Sequence, residues 1–395
     1  MEPILPERQT DAPKREPGSI AKKKAIVSRI GRALAERDSF LVIGHKDPDE
    51  DCVSSMVAFA LLASKFNKKA VIAIGPGAQE NFDYLFKICR FNSIQVCTGS
   101  RIPSCSTLVL VDTAKPSMID RPELFERARR SAAVLKIEID HHLESDSRYF
   151  GDEGYNLVYR ASSTCEIIGY LCLKLEDDRY LMEEFQIGEL LTRNLVLAVL
   201  SGILGDTQMG KFIATRREHM FYRYFSSLFE RLLAEKTRRG SANFSTKEQV
   251  FDTLKRLSDE EAACHAELSA RANGIPRLAY AFVGADASQD LVTRFGEETL
   301  VNVSKNLADE LAEKSGKLGL VGYYDDPAVS PFVQFRLRRA QGYSGVDLRG
   351  VLSRLGISNG GGHPGAVGFR VDRSAMDETR FLAMARAIAS EVSPD

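Results

Sequence analysis

Residues 40–43, 108–111 and 134–139 are short apolar-rich runs, and each is followed within two residues by histidine or aspartate: Gly44-His45, Asp112 and Asp140-His141-His142. Such runs suit strands buried on both faces. Helical patterns lie near them, at 20–36 and 53–66, with one apolar face in the first. Buried strands alternating with helices specify a parallel α/β sheet. In an open parallel sheet, ligands gather outside the carboxyl ends of the strands, which is where these polar residues fall.

The same reading organises the rest of the chain into two α/β domains. A further strand is expected at 70–74 and a long apolar helix at 187–204. Residues 220–257 are helical and charged. The stretch 237–245, with Gly240 and Ser241, is the expected linker between a domain at 20–236 and a smaller one at 246–395. The second should carry strands at 278–283, 318–323, 332–337 and 367–371, and a last helix at 376–392. Residues 1–19 are polar, with prolines at 3, 6, 13 and 17, and read as a disordered arm.

Bulk properties narrow the function. A net charge of -1 does not make the molecule an electrostatic trap for long nucleic acid, so any nucleotide must be held locally. Seven cysteines without a C-x-x-C pair argue for free thiols in a reducing cytosol. No apolar run is long enough for a membrane span and the start is not leader-like, so a cytoplasmic protein with no membrane partner is expected.

Four stretches carry chemistry. His45-Lys46-Asp47-Pro48-Asp49-Glu50-Asp51 packs an imidazole and several carboxylates between a strand and a helix. Alone it reads equally as an acidic turn or a metal site. Asp112, Asp140-His141-His142 and Gly202-Ile203-Leu204-Gly205-Asp206-Thr207 add carboxylates and imidazoles at strand or helix ends. Three of the chain's six histidines fall in these stretches. Four carboxylates with two imidazoles suit two divalent ions about 3.5–4 Å apart, sharing one carboxylate and activating water for attack on phosphorus.

The order H-x-x-x-D-x-D (His45, Asp49, Asp51), Asp112, Asp140-His141-His142 and Gly-Ile-x-x-Asp-Thr resembles the DHH phosphoesterase family, as does Ala161-Ser162-Ser163-Thr164-Cys165-Glu166. The resemblance covers roughly residues 40–215. It implies one metal held by His45, Asp49 and Asp112, and a second held by Asp51, Asp112, His141 and Asp206. Asp112 would be the bridge. His142 would lie beside the scissile phosphate as stabiliser or proton donor, and Asp140 would orient an imidazole. It also implies two Mn2+ ions, with Mg2+ or Co2+ as substitutes, and a homodimer through the N-terminal domain. The chain departs from the family run at Glu50 and Ser54, where glycines are usual, and at Gln208. Glu50 would add charge at the site's mouth, and Ser54 could cap the following helix.

Ser358-Asn359-Gly360-Gly361-Gly362-His363 resembles the signature of the DHH-associated C-terminal domain of the first type. Glycines there allow close approach and could cradle an anion. Between 331 and 370 stand Arg336, Arg338, Arg339, Arg349, Arg354 and Arg370 against one acid, Asp347. Arg336, Gly360, Gly361, Gly362 and His363 are the expected substrate contacts, and Arg338, Arg339, Arg349 and Arg354 read as solvated charge. The set resembles the short, NrnA-like branch that degrades nano-RNA and dephosphorylates pAp. A cyclic di-AMP or pApA phosphodiesterase and a nucleotide-binding regulatory protein are the alternatives. The motif argues against a family-II pyrophosphatase, and the chain has no room for the extra domains of the long exonucleases.

Overall fold

The computed structural model describes residues 12–75, 80–99, 103–143, 146–236, 244 and 246–392, and its contacts divide it into two compact units, Met1–Arg256 and Leu257–Asp395. The expected α/β class with two domains holds.

In the first unit the elements run α1 (Ile20–Glu36), β1 (Ser39–Ile43), α2 (Glu50–Lys65), β2 (Lys69–Ala73), α3 (Asp83–Phe91), β3 (Gln95–Cys97), β4 (Thr107–Val111), α4 (Pro122–Arg130), β5 (Leu135–Asp140), β6 (Asn156–Val158), α5 (Thr164–Glu176), α6 (Arg179–Glu184), α7 (Arg193–Thr207), α8 (Arg216–Lys236) and α9 (Lys247–Leu254). Six strands form one parallel sheet in the order β3-β2-β1-β4-β5-β6. The order reverses between β1 and β4, and a crevice opens at the carboxyl ends of a sheet at such a point.

Helix α2 is the centre of this unit, buried from Asp51 through Ala63. It packs against α7, α5 and the sheet. A helix apolar all round must be enclosed, so truncating a side chain such as Leu62 to Ala should cost about 2–5 kcal/mol. Two glycines of α7 permit the close packing. A Cβ at Gly202 would fall 2.4 Å from Cys165 Sγ and 2.5 Å from Asp51 Oδ1, and one at Gly205 would fall 2.4 Å from the Glu50 Cβ.

The second unit contains α10 (Asp259–Ser269), β7 (Ala272–Ile275), β8 (Leu278–Phe282), α11 (Ala285–Ser315), β9 (Leu318–Tyr324), β10 (Phe332–Arg339), α12 (Leu348–Arg354), β11 (Gly360–His363), β12 (Ala366–Asp372) and α13 (Glu378–Ser390). Its sheet order is β11-β12-β10-β9-β8-β7. Only β8 and β9 pair in parallel, across α11; the other neighbours are antiparallel. Phe335, Phe369 and Phe381 form a stacked apolar layer on one face, and Val321 and Tyr323 pack toward α11 on the other.

Several expectations need correction. Of the expected arm, residues 1–11 lie outside the described residues, but 12–19 are placed against the first unit, with Pro13 bridged to Arg148 and Lys14 buried. The expected linker lies mostly outside the described residues. The division between units falls after Arg256, because Val250 and Leu254 of α9 bury in the first core. Helix α7 begins at Arg193 rather than at 187. The Gly360–His363 segment forms an edge strand. No helix among the described residues is long and apolar enough to cross a membrane.

Candidate metal centre

His45 and Asp112 stand just past β1 and β4, on either side of the point where strand order reverses. Asp112 is buried and holds a left-handed backbone with φ 49°. That conformation is uncommon for a side chain larger than glycine, although aspartate tolerates it better than most. Here it directs the carboxylate back over the strand ends.

Asp49 caps α2, accepting from the Cys52 amide at 3.1 Å. Asp51 follows in the first turn, where the helix dipole favours a negative charge. Its two oxygens accept from the amides of Thr164 at 2.6 Å and Cys165 at 2.9 Å, the first amides of α5. Two helix N-termini therefore converge on one carboxylate. Ser163 caps α5 by accepting from the Glu166 amide, and the Thr164 hydroxyl donates to Asp112 Oδ1 at 3.0 Å. The Ala161 carbonyl lies 3.3 Å from His141 Nδ1. Glu166 accepts from Ser162 and Arg217. The whole 161–166 run is thus a scaffold for the acids.

The histidine orientations follow from what their partners can do. The Lys46 carbonyl, 2.7 Å from His45 Nδ1, can only accept, so Nδ1 carries a proton and Nε2 faces the carboxylates. Nε2 lies 3.6 Å from both Asp49 Oδ1 and Asp112 Oδ2. His141 repeats the pattern: Nδ1 toward the Ala161 carbonyl, and Nε2 3.4 Å from Asp112 Oδ1 and 3.7 Å from Asp206 Oδ2. These spacings exceed ordinary hydrogen bonds and suit ligands converging on a shared cation. His142 differs. Its Nδ1 meets Asp140 Oδ1 at 2.8 Å, and Asp112 Oδ1 is farther, at 3.6 Å.

Electrostatics make the same demand. Burial, then the Asp112 charge, pushes Asp51 up to about 7. Burial also raises Asp206 well above the usual range; His141 opposes this and Asp51 adds to it. Burial alone would raise Asp112 too, yet His141 and His45 hold it well below. Burial opposes charge on His141, but Asp112 and Asp206 outweigh it and raise its pKa well above normal. Asp206 Oδ2 is buried without a hydrogen-bond partner. An orphaned carboxylate oxygen in a donor set of carboxylates and imidazoles fits divalent cations.

Some residues had no sequence-level signal as site members. Cys52 joins His45 and Asp112 in one of the clusters whose ligand atoms lie within 4.8 Å of one another. Burial, only partly offset by His45, pushes its pKa up to about 11, so it stays a thiol. Glu50 does not project free charge: it pairs with Lys255 at 2.9 Å. Ser54 caps nothing; it is buried inside α2 with its hydroxyl unpartnered. Gln208 takes the left-handed conformation, φ 45°, at the end of α7.

Within the second unit, Arg336 of β10 lies beside Gly368 of β12, which pairs with Gly361 of β11. A Cβ at Gly368 would meet Arg336 Nη1 at 3.0 Å, while one at Gly361 would find open space. The guanidinium donates to the Phe335 carbonyl at 3.2 Å, and its Nε is unpartnered. The Gln334 amide oxygen lies 3.3 Å from Arg370 Nε. Arg338, read as solvated, is buried and 3.5 Å from Asp309 of α11. Arg339, Arg349 and Arg354 engage Val346, Asp347 and Glu391. Gly360 and Gly362 flank the row in β11; the His363 side chain lies outside the described residues.

Residues 39–203 match the DHH family, N-terminal domain. The DHH match contains His45, Asp49, Asp51, Asp112 and His141 and stops three residues short of Asp206. The chain is also similar to the cyclic-di-AMP phosphodiesterase PdeA of Listeria monocytogenes serotype 1/2a (strain 10403S), 29% identical over 197 residues, covering 47% of this chain and 27% of that protein. It thus matches about a quarter of that relative's length. Among solved structures, an exopolyphosphatase-related protein from Bacteroides fragilis superposes with a TM-score of 0.59 at 14% identity, covering 93% of this chain and 96% of that one. RecJ from Thermus thermophilus in complex with Mn2+ gives 0.50 at 13% identity, covering 98% and 57%. At these identities the two structures speak to the fold.

Proposed function

We propose that this chain is a divalent-metal phosphoesterase acting on short phosphorylated nucleotides. The observation that carries the reading is the convergence of His45, Asp49, Asp51, Asp112, His141 and Asp206 at the strand ends, with Asp206 Oδ2 lacking a hydrogen-bond partner. His45, Asp49 and Asp112 would hold one ion, and Asp51, Asp112, His141 and Asp206 the second. Bound there, divalent ions such as Mn2+ supply positive charge to the phosphoryl oxygens and lower the pKa of the attacking water. The chain does the rest. The α5 amides fix Asp51, Thr164 fixes Asp112, and His142, held by Asp140, presents its ring edge to stabilise the phosphoryl group or protonate the leaving oxygen.

Release of 5′-nucleotides from short RNA and of the 3′-phosphate from pAp is the leading substrate assignment. Support comes from Arg336 beside the glycine row, a face suited to one phosphate. The similarity to a cyclic-di-AMP phosphodiesterase favours a second reading, cleavage of cyclic di-AMP or pApA.

Mn2+-dependent hydrolysis of a panel tests both: labelled RNA of increasing length, pAp, pApA, cyclic di-AMP and pyrophosphate, with Asp112→Ala as control. Turnover of dinucleotides and pAp, fading with length and lost in the variant, is the expected result. Preference for cyclic di-AMP or pApA selects the second reading. Nucleotide binding without turnover rejects the enzyme.

A further inference from the structure

Lys14 enters the metal-centre neighbourhood from outside every motif. Its ammonium donates to the Thr113 carbonyl at 2.6 Å and to Asp140 Oδ2, and lies 2.7 Å from Glu138 Oε1. The Phe150 ring centroid is 4.8 Å away. The side chain is 0% exposed. The surrounding arm is tied down by backbone bonds: the Lys14 amide to the Ser147 carbonyl, and the Tyr149 amide to the Ala12 carbonyl. The Arg15 amide donates to the Tyr149 hydroxyl, and Glu16 accepts from the Arg160 amide.

Glu138 and Asp140 are two residues apart on β5, so both carboxylates point to the same face. Each is buried. Two buried charges on one face repel unless a cation lies between them. Lys14 is that cation, and its removal would leave Asp140 Oδ2 without the donor that fixes it. Asp140 Oδ1 in turn receives both the His141 amide and His142 Nδ1. The bond to Thr113 pins the residue that follows Asp112.

We propose that Lys14 is a positioning residue for the phosphoester chemistry. It holds the Asp140 carboxylate so that His142 is fixed with Nδ1 engaged and Nε2 without a protein partner among the described residues. The N-terminal arm is therefore part of the working site. This inference rests on the reading of the centre as a phosphoesterase.

Three full-length variants test it. Lys14→Met removes the ammonium. Lys14→Met with Glu138→Gln removes one buried charge of each sign, so it keeps the charge balance while losing the tether, and it decides the question if the single variant does not fold. These two should bind Mn2+ with unchanged stoichiometry and keep KM, while kcat falls about 10- to 100-fold. In the third, Lys14→Ala, n-propylammonium should restore turnover and n-propanol should not. In the Mg2+-loaded protein, the His142 ring should give one set of nitrogen signals in the wild type, with Nδ1 protonated, and more than one set in the double variant. A double variant with wild-type kcat and wild-type ring signals overturns the inference. A wild type that turns over no substrate overturns the phosphoesterase reading alone, and the ring signals then decide the role of Lys14.

Discussion

Glu50 and Lys255 form an ion pair at 2.9 Å that ties the first turn of α2 to the residue after α9. Both partners are largely shielded, at 19% and 29% side-chain exposure. Lys255→Met should therefore lower stability by about 0.5–1 kcal/mol, and added salt should weaken the difference from wild type. It should also raise KM for a polyanionic substrate, since Glu50 is left unpaired beside Asp49 and Asp51. Chemical denaturation at two ionic strengths and a KM measurement check both effects.

Gly202 is the point where α7 touches Asp51. In Gly202→Ala the new methyl would press on Asp51 Oδ1 and Cys165 Sγ. Overpacking of this kind costs about 1–3 kcal/mol. Because the pressed atom is a carboxylate of the centre, Mn2+ affinity should fall along with stability, and titration calorimetry would register it. An Ala variant that is destabilised but binds Mn2+ as tightly as wild type would separate packing from the site.

The pH response of the centre follows from Asp51. Burial and then Asp112 lift its pKa to about 7, against about 3.9 in the unfolded chain. A raised carboxylate gives the metal-free protein a contribution that is complete below about pH 4 and is lost as pH rises toward 7. Cation binding needs the deprotonated form, so Mn2+ affinity should climb through the same window. Thermal unfolding with EDTA and with saturating Mn2+, compared at pH 5 and pH 8, should show a larger metal-dependent gain at pH 8.

Gln208 ends α7 in a conformation that suits glycine, φ 45° and ψ 66°. A non-glycine residue held there costs about 1 kcal/mol or more. Gln208→Gly should raise stability by about 0.5–1 kcal/mol, visible as a small rise in Tm, with metal affinity unchanged.

The central strands were legible because sheet burial on both faces leaves apolar runs with no alternation, as at Phe40 to Ile43. The nearness of His45, Asp51, Asp112, His141 and Asp206 was legible because each stands at or near the end of a strand or helix that the pattern marks. Strands β3, β6 and β7 were not, since three or four residues are too few to display a period. Strand β11 was hidden for a different reason: Gly360, Gly361 and Gly362 carry no side chains to pattern. Arg338 looked solvated because its partner, Asp309, comes from a helix 29 residues earlier. Lys14 was the least readable of all. Its surroundings are polar and proline-rich, and its partners lie about a hundred residues away or more.

That separation sets an order of events during synthesis. Lys14 leaves the ribosome first, but the carboxylate that receives it is 126 residues further along. The arm has nowhere to dock until β5 and the segment around Ser147 have emerged. A segment made well before the sheet is complete thus settles only after β5 is in place. A fusion tag or processing cut just ahead of residue 12 would act at this late docking step, leaving the sheet itself untouched.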